Sequence, residues 1–295
     1  MGEISKNVQA INKVTVKDRF NSYLKNPASL VMFLLVTAAA LITFAVLLFL
    51  IGYILVKGLP HLTPSLFEFE YNSENVSMMP AIVNTVIMTI VSLVIAAPLG
   101  IFAAIYLVEY AKRGNFLVSI IRITTETLSG IPSIVYGLFG LLFFVTKLQW
   151  QYSILAGAFT LAIMILPLII RTTEEALKSV PDSFREGSFG LGAGKLRTVF
   201  NVVLPSAVPG ILAGVILAVG RVVGETAALM YTSGSVAEIP NSLMDSGRTL
   251  AVHMYALSSE SLYMDQAYAT AVVLLIVVVG INTLSGIIAR RLAAN

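Results

Sequence analysis

Six apolar runs, most of them long enough to cross a lipid bilayer, leave this chain little choice of surroundings. A helix needs roughly 20 mostly apolar residues to cross a hydrocarbon core of about 30 Å. Leu30 to Val56, Ala81 to Val108, Ile154 to Ile170, Ala207 to Tyr231 and Ala267 to Ala289 approach or exceed that length. Pro132 to Val145 is shorter, but the amphipathic run Ser119 to Ser129 leads into it. Pro98 should kink the second run. The chain is 57% hydrophobic and 12% charged, with a mean hydropathy of +0.87. Soluble domains average roughly 45–50% apolar and about 25% charged residues. The expected fold class is an all-α polytopic membrane protein with six transmembrane helices, which places both termini on one side.

Lysine and arginine set the expected orientation. Lys6, Lys13, Lys17, Arg19 and Lys25 precede the first run, and Lys112, Arg113 and Arg122 follow the second. Arg171, Lys178, Arg185, Lys195 and Arg197 follow the fourth, and Arg290 and Arg291 follow the sixth. These fifteen face three on the alternate side, Lys57, Lys147 and Arg248. Positive loops stay inside, so both termini are expected in the cytoplasm. The domain reading is a cytoplasmic tail over 1–26 and a transmembrane domain over 27–295, with an inner loop at 171–205 and an outer loop at 232–266. The first apolar run is too long for a signal-peptide core, and no clear cleavage site follows it.

Several function classes are excluded. Cysteine is absent, which removes disulfides, thiolate metal sites and cysteine nucleophiles. His61 and His253 stand alone in outer loops, so no metal site is expected. The run Gly190-Leu191-Gly192-Ala193-Gly194-Lys195 suggests a phosphate-binding loop, but Phe189 and Leu196 occupy positions where that loop needs glycine and serine or threonine. The chain is therefore expected to have no ATPase site of its own. Clustered carboxylates or histidines, which a membrane-embedded transferase needs, are not seen.

The polar, glycine-punctuated stretch Arg185 to Pro205, REGSFGLGAGKLRTVFNVVLP, lies between two apolar runs. It has the spacing of a docking loop for a soluble partner. Glu186, Gly192, Val202, Leu204 and Pro205 match the pattern E-A-A, three residues, G, nine residues, I, one residue, L-P. Gly187 and Ser188 replace the alanines, and Val202 the isoleucine. Gly192 suits a turn with positive φ, and Pro205 suits the start of the next helix. This stretch resembles the EAA loop of ABC importer permeases, which seats in the ATPase subunit.

Charges within the apolar runs mark the second candidate site. Intramembrane charges normally face a cavity or a partner. Arg221 and Glu225, four residues apart in the fifth run, are expected on one helix face. Arg171 and Glu174 repeat the theme at the inner end of the fourth. Guanidinium donors match the geometry of an oxyanion. Counted from Ala207, Arg221 lies fourteen residues in, about 21 Å at 1.5 Å per residue. The competing reading for each pair is a structural clamp. Gly210-x3-Gly214 and Gly220-x3-Gly224 predict close helix approach, and Gly130-Ile131-Pro132-Ser133 a break where the third helix begins.

IPSIVYGLFG at 131–140, IIRTTEEALKSVP at 169–181, GRVVGETAALMYTSG at 220–234 and SGRTLAVHMYALSSE at 246–260 resemble the PstA-type permeases of phosphate ABC importers, of the MetI-like class. The resemblance covers the second to sixth helices. It implies a bacterial plasma-membrane importer with a PstC-type second permease, two copies of a PstB-type ATPase and an external PstS-type phosphate-binding protein. It implies that ATP and magnesium are bound on the ATPase and no cofactor by this chain. It further implies that Glu186, Gly192, Leu204 and Pro205 couple to the ATPase; the charged residues Arg221, Glu225, Arg171 and Glu174, singled out above for their place in the apolar runs, are the candidates for the anion path. Permeases for sulfate or molybdate, and an ion-driven carrier, are the alternatives.

Overall fold

Why the apolar runs become helices is simple: a backbone surrounded by hydrocarbon must satisfy its own polar groups, and a helix does so within one segment. The computed structural model describes residues 26–112, 114–259 and 261–293, and every regular element among them is helical. The tail read as 1–26 falls outside these residues, apart from Asn26. Two units divide the chain at 54/55. The first contains most of α1, Pro27–Gly58, a 32-residue apolar helix. At 1.5 Å per residue it measures about 48 Å, ample for a span.

The second unit holds the rest. Helix α2, Met79–Ile105, continues into a wide π-helical turn, Tyr106–Tyr110. Helix α3, Phe116–Ser129, is amphipathic, and α4, Ser133–Gly140, runs on through a π-helical stretch, Leu141–Lys147. Helix α5 is Ile154–Lys178. Two short helices follow, α6 at Asp182–Gly190 and α7 at Lys195–Thr198. A π-helical turn, Val199–Val203, joins α7 to α8, Leu204–Val223. Helices α9, Ala227–Met230, α10, Leu250–Ser259, and α11, Met264–Ala293, complete the unit.

Among the described residues five helices are long and apolar enough to cross a membrane, and where the sixth span is expected a pair of helices bent by 103° is apolar enough when taken together. The bend falls at the expected break, where Pro132 is extended (ψ 142°) and caps α4. Tyr136 Oη donates to the Leu128 carbonyl at 2.7 Å, bracing α4 against α3 across the break. Helix α2 runs without a break from Met79 to Ile105, with Pro98 inside it.

Helix α5 is the centre of the unit. Its most apolar stretch is 67% buried, and it packs chiefly on α2 and α8. Leu161, Ile165 and Ile169 of α5 join Met88 and Ala96 of α2 and Ala218 and Val222 of α8 in one core. Gly210 and Gly214 let α8 approach. A Cβ on Gly210 would stand 2.7 Å from Ala176 Cβ, and one on Gly214 2.6 Å from Thr172 Cβ. Gly220 and Gly224 behave otherwise: nothing lies closer than 3.7 Å to a Cβ there, and Gly224 falls beyond the last helical residue.

The long segment at 232–266, expected on the outer side, folds onto the ends of α2 and α5. The first N–H groups of a helix lack partners within it. For α5, Ile154 and Leu155 donate instead to the carbonyls of Asp245 and Leu243, at 2.9 and 2.8 Å. Asn84 Nδ2 of α2 donates to the Glu238 and Arg248 carbonyls at 3.0 and 3.2 Å, and Thr85 Oγ1 accepts from Leu250 N at 2.8 Å. The Arg248 guanidinium lies 4.7 Å from the Tyr71 ring centre, and His253 meets the same ring edge-on at 6.2 Å.

His253 is fully buried. Burial, and secondarily the Arg248 charge, push its pKa down from 6.5 to about 3. Above pH 6.5 neither the folded nor the unfolded imidazole is protonated, and the contribution to stability is complete. Below 6.5 the unfolded state takes up the proton first, so stability falls by about 1.4 kcal/mol per pH unit until the folded group titrates. Amides of α10 should therefore lose exchange protection, after correction for intrinsic rates, between pH 6.5 and 4. His253→Phe keeps the ring contact and should flatten that slope. Equal slopes in the two proteins would remove His253 as the cause.

Candidate coupling loop and anion path

The stretch between α5 and α8 is built from two short helices and a turn. Pro181, extended at ψ 139°, starts α6, and Asp182 in its first turn complements the helix dipole. At the other end Leu191 N donates to the Gly187 carbonyl (3.1 Å), Gly192 N to Phe189 (2.9 Å) and Ala193 N to Ser188 (3.1 Å). Gly192 has φ +83°, a conformation that costs side-chain-bearing residues about 1–2 kcal/mol. The expectation of a positive-φ turn there agrees with this geometry. Ser188 and Thr198 hydroxyls, 2.8 Å apart, tie the two limbs. Open space surrounds the position a Gly187 Cβ would take, so glycine in place of the family alanine has no packing reason here.

The tip is apolar and exposed. Leu191 is 91% exposed, and Phe184, Phe189 and Leu196 are also exposed. Glu186 stands exposed among them. Exposed apolar side chains beside polar ones form the kind of surface that a partner can cover. The apparent phosphate-binding run, 190–195, occupies the turn between α6 and α7, and no strand precedes it among the described residues.

One expectation about the far limb needs correction. Pro205 stands in the first turn of α8, as expected, but the helical run that contains it begins ten residues earlier at Lys195. The wide turn Val199–Val203 directly before Leu204 is the means by which the run passes Pro205, whose ring would crowd an ordinary α-turn. Leu204 is part-buried against the core at this end of the bundle, whereas Pro205 is exposed. Arg221 is accordingly 26 residues along a 29-residue run, in the last turn of α8, not fourteen residues in.

Two of the four charged candidates lie toward the loop end of α5, and the other two at and just past the far end of α8. At the loop end, Arg171 and Glu174 do not pair with each other. Arg171 Nε donates to Glu175 Oε1 at 3.1 Å. Glu174, with a side chain only 11% exposed, receives Arg122 Nη2 at 2.6 Å and Lys178 Nζ at 2.7 Å. Its geometry is that of a clamp between α3 and α5. These residues, with Glu126, line a cavity of about 260 Å³. Arg122 thus turns to Glu174, not along its own helix to Glu126. The Glu174–Lys178 spacing was visible in the sequence; Arg122, 52 positions before Glu174, carried no such signal.

At the other end, Arg221 and Glu225 do not share a helix face. Helix α8 stops at Val223, and Glu225 lies in the break before α9. Its carboxylate is buried and accepts the Ala228 N–H at 3.0 Å, satisfying a free donor at the start of α9. Arg221 is half-buried, close enough to Tyr136 to interact electrostatically, and has no ion-pair partner among the described residues. His61 pairs with Asp265 at 3.4 Å, and no three metal-ligating side chains converge among the described residues.

Comparison with known proteins agrees with this layout. Residues 96–295 match the family model for the binding-protein-dependent transport system inner membrane component. The probable ABC transporter permease protein YqgI of Bacillus subtilis is 34% identical over 283 residues, covering 87% of this chain and 94% of that protein. The phosphate transport system permease protein PstA of Mycobacterium leprae is 35% identical over 68% of this chain and 67% of its own length. PstA of Yersinia pestis is 45% identical over 48% of this chain and 47% of its own. A chain of a bacterial alginate ABC transporter, solved in complex with its periplasmic protein, superposes with a TM-score of 0.65 at 15% identity, over 93% of this chain and 98% of that one. The MetNI methionine ABC transporter gives 0.56 at 20% identity, over 73% and 94%. At these identities the two structures show the fold, that of an ABC importer permease. This chain belongs to the family of binding-protein-dependent transport system inner membrane components, the membrane-embedded transport subunits of ABC importers.

Proposed function

We propose that this chain is one permease subunit of an ATP-driven importer of inorganic phosphate, and forms half of the translocation path. The observation that carries the substrate is Arg221. It is a permanently charged, half-buried fork of donors at the end of a spanning helix, with no ion-pair partner among the described residues. Such a group needs a strong reason to be present, and a passing oxyanion supplies one. The similarity to phosphate permeases supports phosphate over sulfate or molybdate. The partners on this reading are a PstC-type second permease, a PstB-type ATPase dimer that holds ATP and magnesium, and an external PstS-type protein that delivers the anion. The chain itself hydrolyses nothing and binds no cofactor. It sits in the bacterial inner membrane with both termini in the cytoplasm.

On this reading α6 and the turn at Gly192 seat in the ATPase. ATP-driven closure pushes on the loop, and the bundle switches between outward- and inward-facing states. Arg171 and Glu174 border the path at its inner end, with Glu174 held by Arg122 and Lys178. Glu225 serves the path by fixing the break beyond Arg221, a different task from moderating its charge along one helix face.

Four outcomes are expected. In proteoliposomes holding the four-part complex, arsenate should compete for phosphate uptake and sulfate should not. Arg221→Gln should abolish uptake with normal complex yield. Glu225→Gln should cost about 1 kcal/mol through its weakened cap, and the double variant should be no better than Arg221→Gln. Recovery in the double variant would restore the clamp reading of this pair. Glu186→Arg and Gly192→Pro should each prevent co-purification of the ATPase while permease yield is unchanged; retained co-purification and uptake would refute the docking assignment. Cysteine placed at Ser183 should react with impermeant reagents only from the inside, and at Ser259 only from the outside. The reverse pattern would invert the orientation.

A further inference from the structure

Arg185, on α6, is the most heavily bonded side chain of the coupling loop. Its Nη2 and Nε donate to Glu109 Oε1 at 2.7 and 3.1 Å. Nη2 also donates to the Leu177 carbonyl at 3.0 Å, and Nη1 to the Val180 carbonyl at 2.8 Å and to Asp182 Oδ1 at 3.2 Å. The Glu109 side chain is 8% exposed and that of Arg185 15%. Glu109 belongs to the π-helical turn that ends α2, 76 positions before Arg185. One guanidinium therefore joins the loop, the end of α5 and the end of α2.

The second limb grips the same turn. Lys195 Nζ lies 5.1 Å from the ring centre of Tyr110, the neighbour of Glu109. Ser188 and Thr198 join the two limbs. Beneath them Leu107, Leu177, Val180, Val199 and Val203 form one apolar cluster. An ion pair buried like this adds little net stability, because desolvation offsets the attraction, while removing one partner is costly. Its effect is geometric. The loop cannot shift against α2 without stranding Glu109 in a nearly closed site.

We propose that Glu109, acting through Arg185, is a positioning residue of the transport cycle: it makes the second span move with the coupling loop as one body. The proposal rests on the reading of α6 and the turn at Gly192 as the ATPase-docking element. It assigns Glu109 to transmission, and Glu186 and Gly192 to docking.

The test uses the complete importer in proteoliposomes, with three readouts: ATPase co-purification, ATP hydrolysis and phosphate uptake. Glu109→Ala should keep the ATPase bound and hydrolysing, while uptake falls roughly 5–150-fold, the usual range of coupling between sites. The chain has no cysteine, so Tyr110→Cys with Lys195→Cys gives a unique pair for a bifunctional thiol reagent. Bridging that pair should be tolerated in an otherwise wild-type chain and should restore uptake to Glu109→Ala. A residue needed only for folding would not be rescued by such a bridge. If Glu109→Ala is not recovered from membranes, the same comparison is made in Glu109→Gln. Unchanged uptake in the Glu109 variant overturns the proposal, as does a bridge that arrests the otherwise wild-type transporter or fails to rescue the variant. Loss of ATPase co-purification at normal permease yield also overturns it, by assigning Glu109 to docking. Failure of the docking reading itself would show separately, as an ATPase that stays bound and active in import with Glu186→Arg.

Discussion

A backbone amide or carbonyl left unpaired in hydrocarbon costs several kcal/mol, and this requirement governs where the chain can depart from simple helix. The departures are few, and several are visibly repaired. At the bend between α3 and α4 the Leu128 carbonyl is taken by the Tyr136 hydroxyl. At the break between α8 and α9 the Ala228 amide is taken by Glu225. The start of α5 is closed by carbonyls of the outer segment. Polar side chains within α2 satisfy themselves too: Thr85, Thr89 and Ser92 each donate to the carbonyl four residues back, at 2.7 Å. Three π-helical turns, ending at Tyr110, Lys147 and Val203, let helical bonding continue where an α-turn would not. Breaks of this kind are usual where a path for a polar substrate runs beside the helices.

Much of this architecture is legible in one sequence because it depends on composition and local geometry. Apolar run lengths locate the spans, Gly130 to Ser133 the bend, and Gly192 the turn of the coupling loop. Gly210 and Gly214 announce the contact with α5. What the sequence does not disclose is any contact made by distant segments. Glu109 and Arg185 read as an unremarkable acid and base at the edges of two apolar runs, and only folding puts them together. Arg122 reads as the partner of Glu126, and a partner on another helix wins because that carboxylate, on Glu174, is the less exposed to water. The break at Gly224 was hidden by the apolar residues that follow. Glycine within an apolar run is common, and the turn becomes evident only when Glu225 is found capping the next helix.

Charge is distributed along the second unit in a way that separates two tasks. At the loop end, cations and carboxylates are matched into a network that orients α3, α5 and α6. At the far end of α8 stands Arg221, whose positive charge is unmatched by any carboxylate among the described residues. A matched network resists displacement and suits elements that must transmit force. An unmatched charge keeps its donors available to a visiting anion. Neither arrangement suffices alone for an importer, which must both hold its moving parts together and let its cargo go.

Asn84 and Thr85 stand one turn into α2 and hold three backbone groups of the outer segment, the carbonyls of Glu238 and Arg248 and the amide of Leu250. A surface loop ordinarily opens at almost no free-energy cost, independently of the core it decorates. Here hydrogen bonds run from buried side chains of α2 into the segment, so the backbone around Leu250 cannot open without breaking bonds to a spanning helix. Such a segment opens together with the end of the helix that holds it, at a cost that a free loop does not carry.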